Sequence, residues 1–176
     1  MSTATAIEHH PSTRWTLNPD ESFVEFTIKT FWGLTSVRGR FDRFGGAYET
    51  GPTGTKIALT VDADSLDTGN RKRDEHLRTE DFFHVGRHPR VRFVSTRVDE
   101  IADGVLHVTG ELEAAGTVVQ LEFPAMVQPV GGGLEIEAAT TVDPTRFGMS
   151  RGHASMIRTP ATIRVKARLE RVANGG

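Results

Sequence analysis

Ala161-Thr162-Ile163-Arg164-Val165-Lys166-Ala167-Arg168-Leu169-Glu170 is the stretch whose reading decides the fold. Every second side chain is apolar. Ala161, Ile163, Val165, Ala167 and Leu169 face one way, and Thr162, Arg164, Lys166, Arg168 and Glu170 face the other. A period of two is the pleat of a β-strand with one face buried and the other in water. The same pattern recurs back toward the N-terminus. Val24, Phe26 and Ile28 alternate with Glu25, Thr27 and Lys29. Val37, Gly39 and Phe41 alternate with Arg38, Arg40 and Asp42, and Ile57, Leu59, Val61 and Ala63 with Ala58, Thr60 and Asp62. Further strands are expected over 91–99, 105–114 and 118–127, and again at Leu134, Ile136 and Ala138. Gly45-Gly46, Gly51-Pro52-Thr53-Gly54 and Gly131-Gly132-Gly133 punctuate them. About eight to ten strands joined by turns, with no helices alternating between them, predict an all-β antiparallel sheet or barrel.

A chain of 176 residues fits a single domain able to bury a sizeable core. Lys and Arg number 21 against 23 Asp and Glu, so there is no basic stripe for tracking phosphates, and nucleic acid is not an expected partner. The absence of cysteine excludes a disulfide framework and Cys-based zinc sites. No apolar run approaches the roughly 18 residues of a membrane-spanning helix. Residues 1–13 are polar, include His9-His10, and read as a disordered tail before a domain over 14–172, with 173–176 as a second tail. The first residues carry neither a basic start nor an apolar run, from which a cytoplasmic location is expected.

One segment interrupts the strands. Asp64-Ser65-Leu66-Asp67-Thr68-Gly69-Asn70-Arg71-Lys72-Arg73-Asp74-Glu75-His76-Leu77-Arg78-Thr79-Glu80-Asp81-Phe82-Phe83 is too long and too charged for a hairpin turn. Asn70, Arg73, Asp74, Leu77 and Asp81 have helical spacing, so a short helix near 70–85 would gather them on one face. Asn70 suits its N-cap, and Pro89 limits its extent. A second non-strand segment is expected between 143 and 160, where Gly148, Gly152 and Pro160 break the pattern.

Motifs for chemistry are sparse. There is no GxSxG, P-loop, GxGxxG or HExxH. His84 and His88 stand four apart with Glu80 and Asp81 nearby, a metal-like spacing, but Gly86 and Pro89 break the helix that would present them. His76, Asp74 and Asp81 could do acid–base work, yet no nucleophile or oxyanion element accompanies them. No catalytic residue, metal or cofactor is therefore expected.

The run Ser65-Leu66-Asp67-Thr68-Gly69-Asn70, followed by Arg73-Asp74, His76-Leu77-Arg78 and Asp81-Phe82-Phe83, resembles the signature of the YceI-like family of isoprenoid-lipid-binding proteins. The likeness continues through Trp15-Thr16-Leu17, Ser22-Phe23-Val24-Glu25-Phe26 and Val37-Arg38-Gly39-Arg40-Phe41. It resumes at His88-Pro89, Phe93-Val94-Ser95-Thr96 and Val108-Thr109-Gly110-Glu111-Leu112, and covers roughly 13–172. The chain departs from the family pattern at Glu21-Ser22, where relatives often have His-Ser. It departs again at Thr30-Phe31-Trp32, where they often have a His, and at Leu112-Glu113-Ala114-Ala115-Gly116-Thr117, where they have Leu-Thr-x-x-Gly-x-Thr. The resemblance implies a lipocalin-like barrel of about eight strands whose bore takes one long-chain ligand. It further implies non-catalytic binding, storage or transport of an isoprenoid such as a polyprenyl phosphate or a quinone-like amphiphile.

Candidate ligand contacts in the interior are Val24, Phe26, Ile28, Phe41, Leu59, Val61, Phe93, Leu121, Phe123, Ile136, Ile163 and Val165. Read as residues alone they are equally ordinary core. Ala63, Ala114, Ala125, Ala138, Ala161 and Ala167 recur on or near the apolar faces and would leave volume. Candidate mouth residues are Phe31, Trp32, Arg73, Asp74, His76, Phe82 and Phe83. Arg73 could receive a phosphate, or pair with Asp74 to fix the segment to the rim, where Phe82 and Phe83 would pack. Gly39, Gly69 and Gly110 read as bends or turns. Two other readings stay open: a small-molecule enzyme built on His76, Asp74 and Asp81, and a solid-core interaction module, as a homodimer.

Overall fold

The computed structural model describes residues 12–30, 35–149 and 160–173. Among them run β1 (Thr13–Thr30), β2 (Thr35–Phe41), β3 (Phe44–Gly51), β4 (Gly54–Asp62), β5 (Leu66–Asp67), α1 (Arg71–Leu77), β6 (Arg90–Ala102), β7 (Val105–Ala114), β8 (Thr117–Val130), β9 (Gly133–Val142) and β10 (Ala161–Arg171). Every strand pair is antiparallel. β2 pairs with the C-terminal half of β1, Val24 opposite Phe41, and β3 with its N-terminal half, Thr16 opposite Ala47. Both halves run the same way against β1, so β2 and β3 are one long strand kinked at Asp42 and Arg43. From β3 the sheet continues through β4, β6, β7, β8 and β9 to β10. β10 returns to β1, with Leu17 opposite Leu169 and Phe26 opposite Ile163. The result is a closed eight-stranded antiparallel barrel with one short helix. Closure removes the free edge that an open sheet would expose.

The alternation noted in the sequence is what closure needs, because each strand sends alternate side chains into one shared interior. The hairpin between β8 and β9 shows how locally the meander is coded. Gly131 and Gly132 take φ of 49° and 79°, as a two-residue turn with positive φ at both central positions requires. Several bounds move by a few residues. Thr13 already belongs to β1, and β6 and β8 extend beyond the expected 91–99 and 118–127.

The helix is shorter than the expected 70–85. Asn70 caps it, its Oδ1 accepting from the Arg73 N–H at 3.1 Å. It ends at Leu77 because the chain turns back on itself, Phe83 N–H donating to Leu77 O and Val85 N–H to Arg78 O. Asp81 lies in that turn, so the expected common face stops at Leu77. In the 143–160 segment, Pro144–Phe147 is a single 3-10 turn capped by Asp143. Residues 150–159 lie outside the described residues.

The helical insertion follows the end of β4. There β2 has no β4 partner, and the two-residue β5 pairs with it instead, Arg40 opposite Asp67. β5 and α1 thus lie beside β2 at one end of the barrel. Leu66 and Leu77 bring apolar side chains into a cluster with Val24, Phe26, Phe41 and Val61. A larger cluster, which includes Phe93, Val108, Leu121 and Ile136, lines the rest of the interior.

A two-chambered bore as candidate functional site

The interior is neither a solid core nor an open tube. It holds two chambers of about 120 Å³ each, bounded almost entirely by carbon. The near chamber lies at the α1 end, against Val24, Phe26, Ile28, Phe41 and Val61. Apolar side chains from outside the strands close it: Leu77, Phe82, Phe83, Phe147 and Met149. The far chamber runs past Phe93, Leu121, Phe123, Ile136 and Val165 toward Leu17, Tyr48 and Leu169. Leu59 and Ile163 border both. All twelve interior candidates from the sequence therefore line one chamber or the other. Leu59, Phe123, Ile163 and Val165 are only half-buried, although they face into a closed barrel.

Two phenylalanines owe their place to glycine. A Cβ on Gly39 would sit 2.3 Å from the Phe26 ring, its partner across the β1–β2 ladder. A Cβ on Gly110 would sit 2.5 Å from Phe93. Neither glycine has positive φ. Both positions supply space, letting each ring lie on the wall rather than across the bore, and at Gly110 the β6–β7 register also shifts, between Ser95 and Arg97. The rings then stack along the wall. Phe26 lies 5.5 Å from Phe41, which meets Phe83 edge-on at 5.8 Å, and Phe93 lies 5.4 Å from Phe123.

Tyr48 brings a hydroxyl to the far end. Burial, with Glu100 nearby, pushes its phenol above the ordinary tyrosine range, so it stays protonated at neutral pH.

The polar residues of the signature segment hold it together. Thr68 donates from both its N–H and its hydroxyl to Asp74 Oδ1, at 2.9 and 2.6 Å. Arg73 donates to the Thr68 hydroxyl and carbonyl oxygens at 2.7 and 2.8 Å. Arg73 and Asp74 thus meet on Thr68 rather than in the expected direct ion pair. Asp74 is only 8% exposed, and a carboxylate that deep needs such donors. Arg78 donates to the carbonyl oxygens of Asp64 and Leu66. Ser65 Oγ accepts from Arg43 N–H and donates to Asp62 O. This latch carries Leu77 inward and delivers Phe82 and Phe83 to the near chamber.

The other mouth candidates are dispersed. His76 is exposed, 3.7 Å from Asp81 and edge-on to Phe82 at 5.0 Å. Asp74 Oδ1 is engaged by Thr68, while His76 stands beside Asp81. His84 and His88 meet edge-on at 5.7 Å. Among the described residues no three His, Asp or Glu side chains are disposed to hold a metal. Phe31 and Trp32 lie outside the described residues. A more open groove of about 730 Å³ lies on the outer face of β4 and β6, between Arg43, Arg90 and Arg92. It is separated from the near chamber by the wall that carries Val61 and Val91.

The sequence reading did not select Leu112, Thr68, Arg78, Phe147 or Met149. Leu112 could have been found, since it alternates with Val108 and Gly110 along β7. Thr68 and Arg78 sit in the quoted signature, but nothing local reveals that their partners are backbone atoms of the same segment. Phe147 and Met149 occupy an aperiodic stretch that carries no signal for facing inward.

A sequence profile described as the YceI-like domain matches residues 15–170. A UPF0312 protein of Pseudomonas paraeruginosa is 33% identical over 145 residues, 76% of this chain and 75% of the relative. Among solved structures, Burkholderia cenocepacia BcnA superposes with a TM-score of 0.78 at 18% identity, covering 86% of this chain and 98% of its own. A polyisoprenoid binding domain from Saccharophagus degradans gives 0.73 at 18% identity, covering 89% and 97%. Among the described residues, no helix is long and apolar enough to cross a membrane.

Proposed function

The chain belongs to the YceI-like family, and from that premise we propose that its barrel binds the apolar chain of an isoprenoid lipid without catalysing a reaction. The observation that carries this reading is the pair of carbon-lined chambers, end to end within a closed barrel. Water gains little in such a space, whereas a prenyl chain is withdrawn from water there. At roughly 0.8 kcal/mol per CH₂, each five-carbon unit contributes about 4 kcal/mol. The wall is largely preformed, which limits the ordering cost on binding. Its aliphatic and aromatic side chains discriminate among hydrocarbons by length and girth rather than by hydrogen bonding. The fold shared with a polyisoprenoid binding domain supports the same ligand class.

Size supports binding with adjustment. An apolar cavity of about 150 Å³ holds benzene, so each chamber as it stands has room for roughly one isoprene unit. A longer chain requires the bore to widen, and the near chamber is closed by side chains from outside the strands. The test is denaturing organic extraction of the purified protein followed by mass spectrometry, with parallel titration of added prenyl alcohols. A stoichiometric prenyl lipid, or saturable uptake of an added one, is expected. The absence of both extracted lipid and binding of any added chain would end this reading.

A further inference from the structure

The two chambers share three wall residues: Leu59, Leu112 and Ile163. They come from β4, β7 and β10. Counting β2 and β3 as one, these strands stand third, fifth and eighth in the circuit of eight. The three side chains therefore enter the bore from well-separated directions, spaced by two, three and three strands. Three branched aliphatic groups converging in this way make a constriction. Had they come from adjacent strands, they would have made only one patch of wall.

Resting on the function proposed above, we propose that Leu59, Leu112 and Ile163 form a waist that sets the length of prenyl chain the barrel accepts. A chain entering at the α1 end fills the near chamber first and reaches the far one only by passing them. Leu112 is buried against the wall at 8% exposure. Leu59 and Ile163 are half-buried and face free volume. Leu59 borders both chambers, and leucine is not branched at Cβ and so lacks the χ1 restriction of isoleucine. Ile163 is β-branched and stiff at χ1, so it is the fixed part of the constriction and its size decides what passes. The far chamber beyond the waist has no duty in closing the barrel that the hairpins at that end do not already perform. It is spare length for a longer ligand.

The experiment compares dissociation constants of prenol, geraniol and geranylgeraniol, one, two and four isoprene units, for wild type, Ile163→Ala, Ile163→Val and Val165→Ala. Displacement of a bound polarity-sensitive dye is the readout, and thermal melts certify folding. In the wild type the second unit, the first that has to pass the waist, is expected to improve affinity by less than about tenfold, far short of its full burial. Ile163→Ala is expected to raise the preference for geraniol over prenol by about tenfold or more. Ile163→Val, a milder change that carries the test if the alanine variant unfolds, should shift the ratio in the same direction by less. Val165→Ala enlarges the far chamber while leaving the three waist side chains in place and should shift it less than Ile163→Ala. Folded Ile163 variants that bind prenol and geraniol with the wild-type ratio would overturn the waist while leaving lipid binding intact, as would an equal shift from Val165→Ala. Failure of wild type to bind any of the three alcohols would remove the lipid reading itself, and the waist with it.

Discussion

At the scale of single residues, the bore depends on what Gly39 and Gly110 lack. Phe26 and Phe93 each occupy the place where a Cβ would stand, so glycine trades strand propensity for an aromatic ring held against the wall. Gly39→Ala forces Phe26 into the near chamber or off its rotamer. Overpacking of this kind typically costs about 1–3 kcal/mol, and the expected loss lies in that range. Phe26→Leu in the same chain should recover part of it, because the added methyl then meets a smaller neighbour. Denaturation midpoints for the two single variants and the double variant give the coupling between the positions. Additive losses would show that glycine is needed there for backbone reasons instead.

At the scale of elements, the insertion between β4 and β6 is held less by its helix than by its hydrogen bonds to itself. A helix of seven residues has little stability of its own. The Thr68–Asp74–Arg73 contacts, the Asn70 cap and the Arg78 bonds to Asp64 and Leu66 make it a rigid part. The family signature thus encodes a fastening that positions Leu77, Phe82 and Phe83. Asp74→Ala removes two hydrogen bonds to a buried carboxylate and orphans the Thr68 N–H. The expected cost is about 1.5–3 kcal/mol, by the usual worth of hydrogen bonds to charged groups. Hydrogen exchange should show the loss of protection concentrated in 66–85 rather than spread through the barrel. Uniform loss of protection would mean that the insertion is integral to barrel folding and not a separable closure.

At the scale of the whole molecule, the balance between packing and free volume defines the protein. Leu59→Trp examines it directly. The site borders free volume on both sides, so an indole has somewhere to go, and the destabilisation should fall below the 1–3 kcal/mol typical of overpacking a filled core. Binding of geraniol and geranylgeraniol should weaken more than binding of prenol, because the ring narrows the passage between chambers. Severe destabilisation with no change in relative affinity would favour a filled interior.

Sequence periodicity by itself determined that the chain is β-rich, which side chains face inward on most strands, and where the meander breaks at 64–83. These are local facts, since a pleat of period two leaves its mark in consecutive residues. The family signature carried the barrel by likeness. Only the tertiary structure decided that β2 and β3 are one kinked strand, because both align on β1, and alignment is a property of pairs of distant segments. It also decided that Arg73 and Asp74 converge on Thr68, and that Phe147 and Met149 join the wall of the near chamber. The waist is the clearest case. Leu59, Leu112 and Ile163 look alike in the sequence to a dozen other inward aliphatics. What distinguishes them is their height and bearing around a closed circuit, which come into existence only when β10 returns to pair with β1.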